Sequence, residues 1–246
     1  MFVIDDADAR LRDPADLARF LTDATGAPQT IAFGTQIKVT DVKAVPRGSR
    51  SVLCYARVTR ADNGAEFGWT AASNVKGGLL SETIGTIAAP ANGSRFGPHA
   101  AWENGVYKGQ IDLVRIIGTK NELEYLAGPI AAKFVALVAA ARADGIVIGV
   151  NSGFRSYPEQ KMLRENWERR VNGFAPANRP GHSNHQNGIA FDLDVGVGPG
   201  NPVYDWLAAH ATGLGVLRTV PPEVWHWEYR PQQAAQAKAA GRHTSW

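Results

Sequence analysis

The sequence predicts an α+β fold with an antiparallel sheet, preceded by a small all-β module. Two observations carry this. Apolar residues alternate with polar ones in short runs over 33–75, and beyond residue 128 strands and helices mix without a regular βαβ repeat. A third observation says where the chemistry sits: histidines and carboxylates cluster at 181–194 and again at 223–228. The 246 residues, 44% of them apolar, suffice for one large domain or for a small and a medium one. A formal charge of +3 without a basic block gives no nucleic-acid footprint. The single cysteine, Cys54, excludes an internal disulfide and reads as a small buried hydrophobe.

In chain order, Asp13 and Pro14 open an amphipathic pattern that Gly26 closes, so 1–30 is expected to be a helical segment with its helix over 13–25. The alternation of Ile37, Val39 and Val42, the run 52–58, and the turn at Asp62, Asn63 and Gly64 predict a small β-barrel over 31–80. Its last part, Gly68, Trp69 and Thr70 followed by Ser73, Asn74 and Val75, resembles the closing strands of bacterial SH3-like modules. Gly, Ala, Pro, Ser and Asn dominate 77–105, which reads as a linker or wrapping segment and sets the domain boundary, giving 81–121 as linker and 122–246 as the second domain. There a core helix is expected over 129–144, a buried strand over 146–150, a helix over 158–170, a strand over 188–193, a short helix over 205–211, a strand over 225–229 and a terminal helix over 232–240.

Strand periodicity sets Ala190, Asp192 and Asp194 on one face and Ile189, Phe191 and Leu193 on the other. On the second strand His226 and Glu228 share a face opposite Trp225 and Trp227. His185 precedes Gly188, where a turn can return it towards Asp192. Two histidines and one aspartate offer three protein ligands and leave a position for water, the pattern of a catalytic zinc site. Glu223 follows Pro221 and Pro222, so it belongs to the turn entering the strand, from which it can reach the metal as general base. Arg155 sits at a strand-to-helix turn, placed to hold a substrate carboxylate or an oxyanion.

The spacing Ser183-x-His185-x-x-Gly188-x-Ala190-x-Asp192, then Glu223-x-Trp225-His226, resembles the paired signature of the M15 family of zinc D-alanyl-D-alanine carboxypeptidases, the VanY-like branch of the LAS peptidases. The stretch from Ser152 through Arg155 to Gln160, and Arg179 to His185, fit the same branch, with Phe154 where many relatives carry tyrosine. The resemblance, spanning about 122–229, implies His185, Asp192 and His226 as ligands of Zn2+ and Glu223 as catalytic base. It places Arg155, Gln160 and Ser183 near the substrate. It selects Asp192 over Asp194, and it implies peptidoglycan stem peptide as the substrate. Trp225 and Trp227 read on their own as core aromatics, with lining of the site as a second role for Trp225.

The function expected is release of a C-terminal D-amino acid from the stem peptide. One rival is an endopeptidase of the phage-lysin or delivered-toxin kind; another is a wall-binding protein with a structural zinc, which gives Glu223 no part. The start Met-Phe-Val-Ile-Asp-Asp lacks the basic and apolar regions of a secretory signal, and no apolar run can span a membrane. Access to the wall is therefore expected through lysis or a delivery machine, with wall contact or a delivery partner assigned to the SH3-like module.

Overall fold

The computed structural model describes residues 2–47, 51–75, 79–120 and 122–246. The chain forms two compact units, one of 1–84 with 117–123, the other of 85–116 with 124–246. The division falls inside the segment expected to be linker, and the chain crosses it more than once.

In the first unit β1 (Phe2–Val3), β2 (Ala9–Arg12), β3 (Thr30–Ile31), β4 (Gln36–Arg47), β5 (Ser51–Arg60) and β6 (Glu66–Ala71) make a six-stranded sheet in the order β1-β4-β5-β6-β2-β3. Every neighbouring pair is antiparallel. The alternation read from the sequence is the buried face: Ile37, Cys54, Ala56 and Val58 join Ile4, Leu11 and Ile31 in its core. The predicted turn is there too, with Asp62 Oδ1 accepting from Asn63 N–H at 2.8 Å, Asn63 Oδ1 accepting from Ala65 N–H at 2.9 Å, and Gly64 at φ 73°.

The expected helix over 13–25 does not form. Asp13 and Asp16 accept hydrogen bonds from Ala15 and Ala18 N–H, and Asp23 accepts from those of Thr25 and Ala27. These turns give the backbone an alternative to the helix, and short bridges Arg12–Phe20 and Thr22–Pro28 replace it.

The second unit begins within β7 (Thr83–Ile87), followed by β8 (Ala100–Glu103), β9 (Val106–Gln110), β10 (Leu113–Ile117) and β11 (Leu123–Ala127). Thus 81–121 is not a plain linker. Asn104 and Gly105, at φ 50° and 80°, join β8 to β9 in a two-residue hairpin. Asn-Gly between apolar runs is a strong hairpin signal, masked here by the Gly- and Pro-rich composition around it.

Helix α1 (Gly128–Ala143) follows, then β12 (Val150–Ser152), α2 (Tyr157–Glu168), β13 (Ala190–Leu193), α3 (Pro202–His210), β14 (Val216–Arg218), β15 (His226–Tyr229) and α4 (Pro231–Ala239). The strands β12-β13-β15-β14 form an antiparallel sheet in that order. The strand expected over 146–150 is displaced to Val150–Ser152, although Ile148 and Val150 are buried as expected. Phe134 of α1 packs on Phe191 of β13 with centroids 4.9 Å apart, in a core with Leu137, Leu193 and Trp227. Filling one face of the sheet this way leaves the other to Asp192, His226 and Glu228. No helix among the described residues is long and apolar enough to cross a membrane.

Candidate metal centre

Asp192 of β13 and His226 of β15 are direct register partners, so the ladder itself holds their side chains adjacent on one face. His226 Nδ1 lies 3.1 Å from Asp192 Oδ1. His185 arrives from the loop before β13, its Nε2 at 3.3 Å from the same Oδ1. Gly188 makes that return feasible: its φ is 79°, and a Cβ there would lie 2.2 Å from that of Ala127. One ligand atom from each of His185, Asp192 and His226 lies within 4.8 Å of the others. Both histidines are nearly enclosed.

The outward ring nitrogens fix which nitrogen faces the centre. His185 Nδ1–H donates to Gly153 O at 2.7 Å, leaving the Nε2 lone pair turned inward. His226 Nε2–H donates to Glu228 Oε1 at 2.9 Å, leaving Nδ1 inward. A donor set of two oriented imidazoles and a carboxylate fits a borderline divalent ion such as zinc.

Glu228, which shares the face of His226 as the strand period required, is fully buried, and its charge is answered by His226, by Asn184 Nδ2 at 2.8 Å and by Arg230 Nε. Sequence reasoning missed Asn184, Arg230 and the Gly153 carbonyl. The first two carry no motif signal, and a carbonyl carries none at all.

Around this centre Arg155 reaches Asp192 Oδ2 at 3.6 Å with Nη2, and donates to Ser152 Oγ at 3.2 Å and to Gln160 Oε1 at 3.0 Å. Gln160 is fully buried and donates its Nε2–H to Asn178 O. It therefore holds Arg155 in place. Ser183, also buried, accepts the His185 N–H through Oγ at 3.3 Å. Glu223 lies in the turn after the two prolines, 36% exposed, with Oε2 3.8 Å from His226 Nδ1. Asp194 is exposed and outside the cluster. Trp225 is 41% exposed, whereas Trp227 is buried, so only the second is a core aromatic. The strand starts at His226, which leaves Trp225 in the turn.

The β8–β9 hairpin braces the loop that carries His185. Trp102 N–H donates to Gln186 O at 3.0 Å, Gly105 N–H to Gly181 O at 2.8 Å, and Gly181 N–H to Gln186 Oε1 at 2.7 Å. Trp102 also meets Tyr157 at the start of α2, centroids 5.0 Å apart. His182 packs against Gly105, where a Cβ would approach its Nε2 to 2.9 Å.

Burial disfavours charge on His185 and pushes its pKa down despite the neighbouring Asp192. Burial also opposes ionisation of Asp192, but the two histidines outweigh it and hold the carboxyl well below its ordinary range. For His226 burial is again the largest influence and lowers the pKa, yet Asp192 and Glu228 together raise it to about 9. Glu228 falls to about 2: burial is overcome by His226, Thr219 and Arg230.

Metal-free protein thus carries a proton on His226 at neutral pH, which supports the fold below about pH 6.5 and is lost as pH rises through about 9. A metal ion must displace that proton. Apparent zinc affinity is therefore expected to rise about tenfold per pH unit up to pH 9, with about one proton released per ion. Calorimetric titration between pH 6 and 8 in buffers of different ionisation enthalpy checks both, and an affinity flat across that range would contradict them.

Residues 123–232 match the family VanY, D-alanyl-D-alanine carboxypeptidase. A D-alanyl-D-alanine carboxypeptidase of Enterococcus faecalis (strain ATCC 700802 / V583) is 32% identical, over 39% of this chain and 45% of that protein, so the chain spans under half of that relative's length. Among solved structures, VanYB in complex with D-alanine-D-alanine is 24% identical, matching 59% of this chain and 93% of its own, with a TM-score of 0.45. The L,D-carboxypeptidase DacB from Streptococcus pneumoniae is 28% identical, over 55% of this chain and 90% of its own, with a TM-score of 0.39.

Proposed function

We infer, from the match of residues 123–232 to the VanY D-alanyl-D-alanine carboxypeptidase family, that this chain is a zinc peptidase releasing the C-terminal D-alanine of peptidoglycan-type stem peptides. The observation that carries the reading is Glu223 beside the buried His185 and His226 and the half-buried Asp192, with Oε2 3.8 Å from the inward nitrogen of His226. A structural zinc site would call for a fourth protein ligand, and Glu223 lies outside the group of three whose ligand atoms sit within 4.8 Å of one another. Zinc held by the three residues would supply Lewis-acid activation of water and of the scissile carbonyl.

The chain's own groups do the rest. Glu223 accepts a proton as the water oxygen bonds to the carbonyl carbon, then gives it to the alanine nitrogen as the C–N bond breaks. The products are a shortened peptide and free D-alanine. Arg155, kept in position by Gln160 and Ser152, offers a cation to the substrate's terminal carboxylate or to the oxyanion. Asp192 already draws on that cation from 3.6 Å, so the guanidinium faces the centre before substrate arrives. We read the N-terminal antiparallel sheet as SH3-like, supported by its closing strand, where Thr70 Oγ1 accepts from Asn74 Nδ2 at 2.8 Å. Its partner would be the wall.

Mass spectrometry of defined muropeptides after incubation with zinc-loaded protein tests the reaction. Loss of one terminal alanine from a pentapeptide stem is the result expected. Cleavage inside the stem or cross-link would instead make the protein an endopeptidase, and unchanged muropeptides would leave the reading without a reaction.

A further inference from the structure

A cavity lies in the first unit, and none of its lining residues belongs to the metal centre. It has a volume of about 560 Å³ and is bordered by Arg12, Leu17, Lys43, Val45, Leu53 and Tyr55. Leu17, Tyr55 and Trp69 form a small buried apolar cluster there, against which Val45 and Leu53 pack. The floor is therefore apolar and the rim cationic.

Among the described residues Arg12 and Lys43 form no ion pair with a carboxylate. The guanidinium of Arg12 instead lies over the Phe20 ring at 4.0 Å and beside that of Tyr55 at 5.5 Å, while Lys43 Nζ sits 4.7 Å over the Trp69 ring. Arg12 Nε is sealed from water without a hydrogen-bond partner, and Nη1 has only a long contact to Ala18 O. A partly dehydrated cation with no carboxylate partner among the described residues gains from an anion that approaches its open edge. Among the described lining residues Asp16 is the one acid, and its Oδ1 accepts the Ala18 N–H at 3.1 Å.

We propose that this cavity binds the terminal carboxylate of a short aliphatic peptide, Arg12 and Lys43 taking the carboxylate and the floor taking alanine-sized side chains. The rings hold the guanidinium plane in place, as recognition of a planar carboxylate requires. An apolar floor favours a peptide over a phosphodiester polymer, which would bring no methyl groups to it. The first unit then anchors wall peptide independently of hydrolysis. The cavity stands on its own geometry; the alanine peptide used as probe rests on the hydrolase reading.

The test uses full-length Glu223→Gln protein loaded with zinc and titrated with N-acetyl-D-alanyl-D-alanine, followed by ¹H–¹⁵N NMR. Saturable shifts are expected at Arg12, Leu17, Lys43 and the Trp69 indole. They should weaken about tenfold when the peptide is amidated at its C-terminus, and about tenfold with Arg12→Gln or Lys43→Gln. The exposed Lys43 decides the matter if Arg12→Gln fails to fold. Shifts confined to residues around His226 would overturn the proposal while leaving the peptidase reading intact. Equal shifts with inorganic phosphate would overturn it in favour of a site for any anion. Shifts at Arg12 with none around His226 would uphold the cavity and count against the peptidase reading.

Discussion

Glu223→Gln is expected to lower kcat by about 10³-fold or more while zinc content, KM and thermal stability stay close to those of the parent. The amide keeps the size and one oxygen of the carboxylate but cannot take a proton from water or pass it on. Stability should be spared because Glu223 is 36% exposed, in a turn, and 3.8 Å from its nearest ionic neighbour. The split between lost turnover and retained metal separates a proton carrier from a ligand. If zinc were lost together with activity, Glu223 would belong to the coordination and another base would be needed.

The second large effect concerns His226. His226→Ala should reduce zinc affinity by at least about 10³-fold, because it removes one of three donors together with the geometry the other two depend on. It should also destabilise the metal-free protein by roughly 3 kcal/mol, since it strips the cation from between Asp192 and the fully buried Glu228. His185→Ala should match it in zinc loss and differ in stability. Burial disfavours charge on His185, its outer nitrogen meets only the Gly153 carbonyl, and without it Asp192 still has His226 and Arg155 as counter-charges. Thermal melts of the two metal-free variants should therefore separate, His226→Ala melting lower. Equal melts would mean that the proton on His226 contributes nothing to the fold.

The metal centre was legible because side-chain type and strand period coincide there. Asp192, His226 and Glu228 had to share a face once Phe191, Leu193 and Trp227 filled the core, and two prolines marked the turn that brings Glu223 round. What holds those groups was less legible. The Gly153 carbonyl that orients His185 is backbone, and the bonds from the β8–β9 hairpin to the His185 loop run between main-chain atoms far apart in sequence. Composition misled twice. Gly and Pro around the hairpin hid its Asn104-Gly105 turn, and in 13–25 Asp13, read as opening a helix, instead closes a turn on itself, as Asp16 does. Trp225 followed the strand period on paper, but the strand starts one residue later and the ring is left exposed.

The central claim is that one zinc ion, held by His185, Asp192 and His226, lets Glu223 drive hydrolysis. Stepwise addition of zinc to metal-free protein, with D-alanine release from a synthetic pentapeptide stem followed at each step, tests it most directly. Release should rise linearly and stop rising at one equivalent, while Glu223→Gln protein binds the same single equivalent and releases almost nothing. Release that ignores zinc, or that persists in Glu223→Gln protein, would contradict the account.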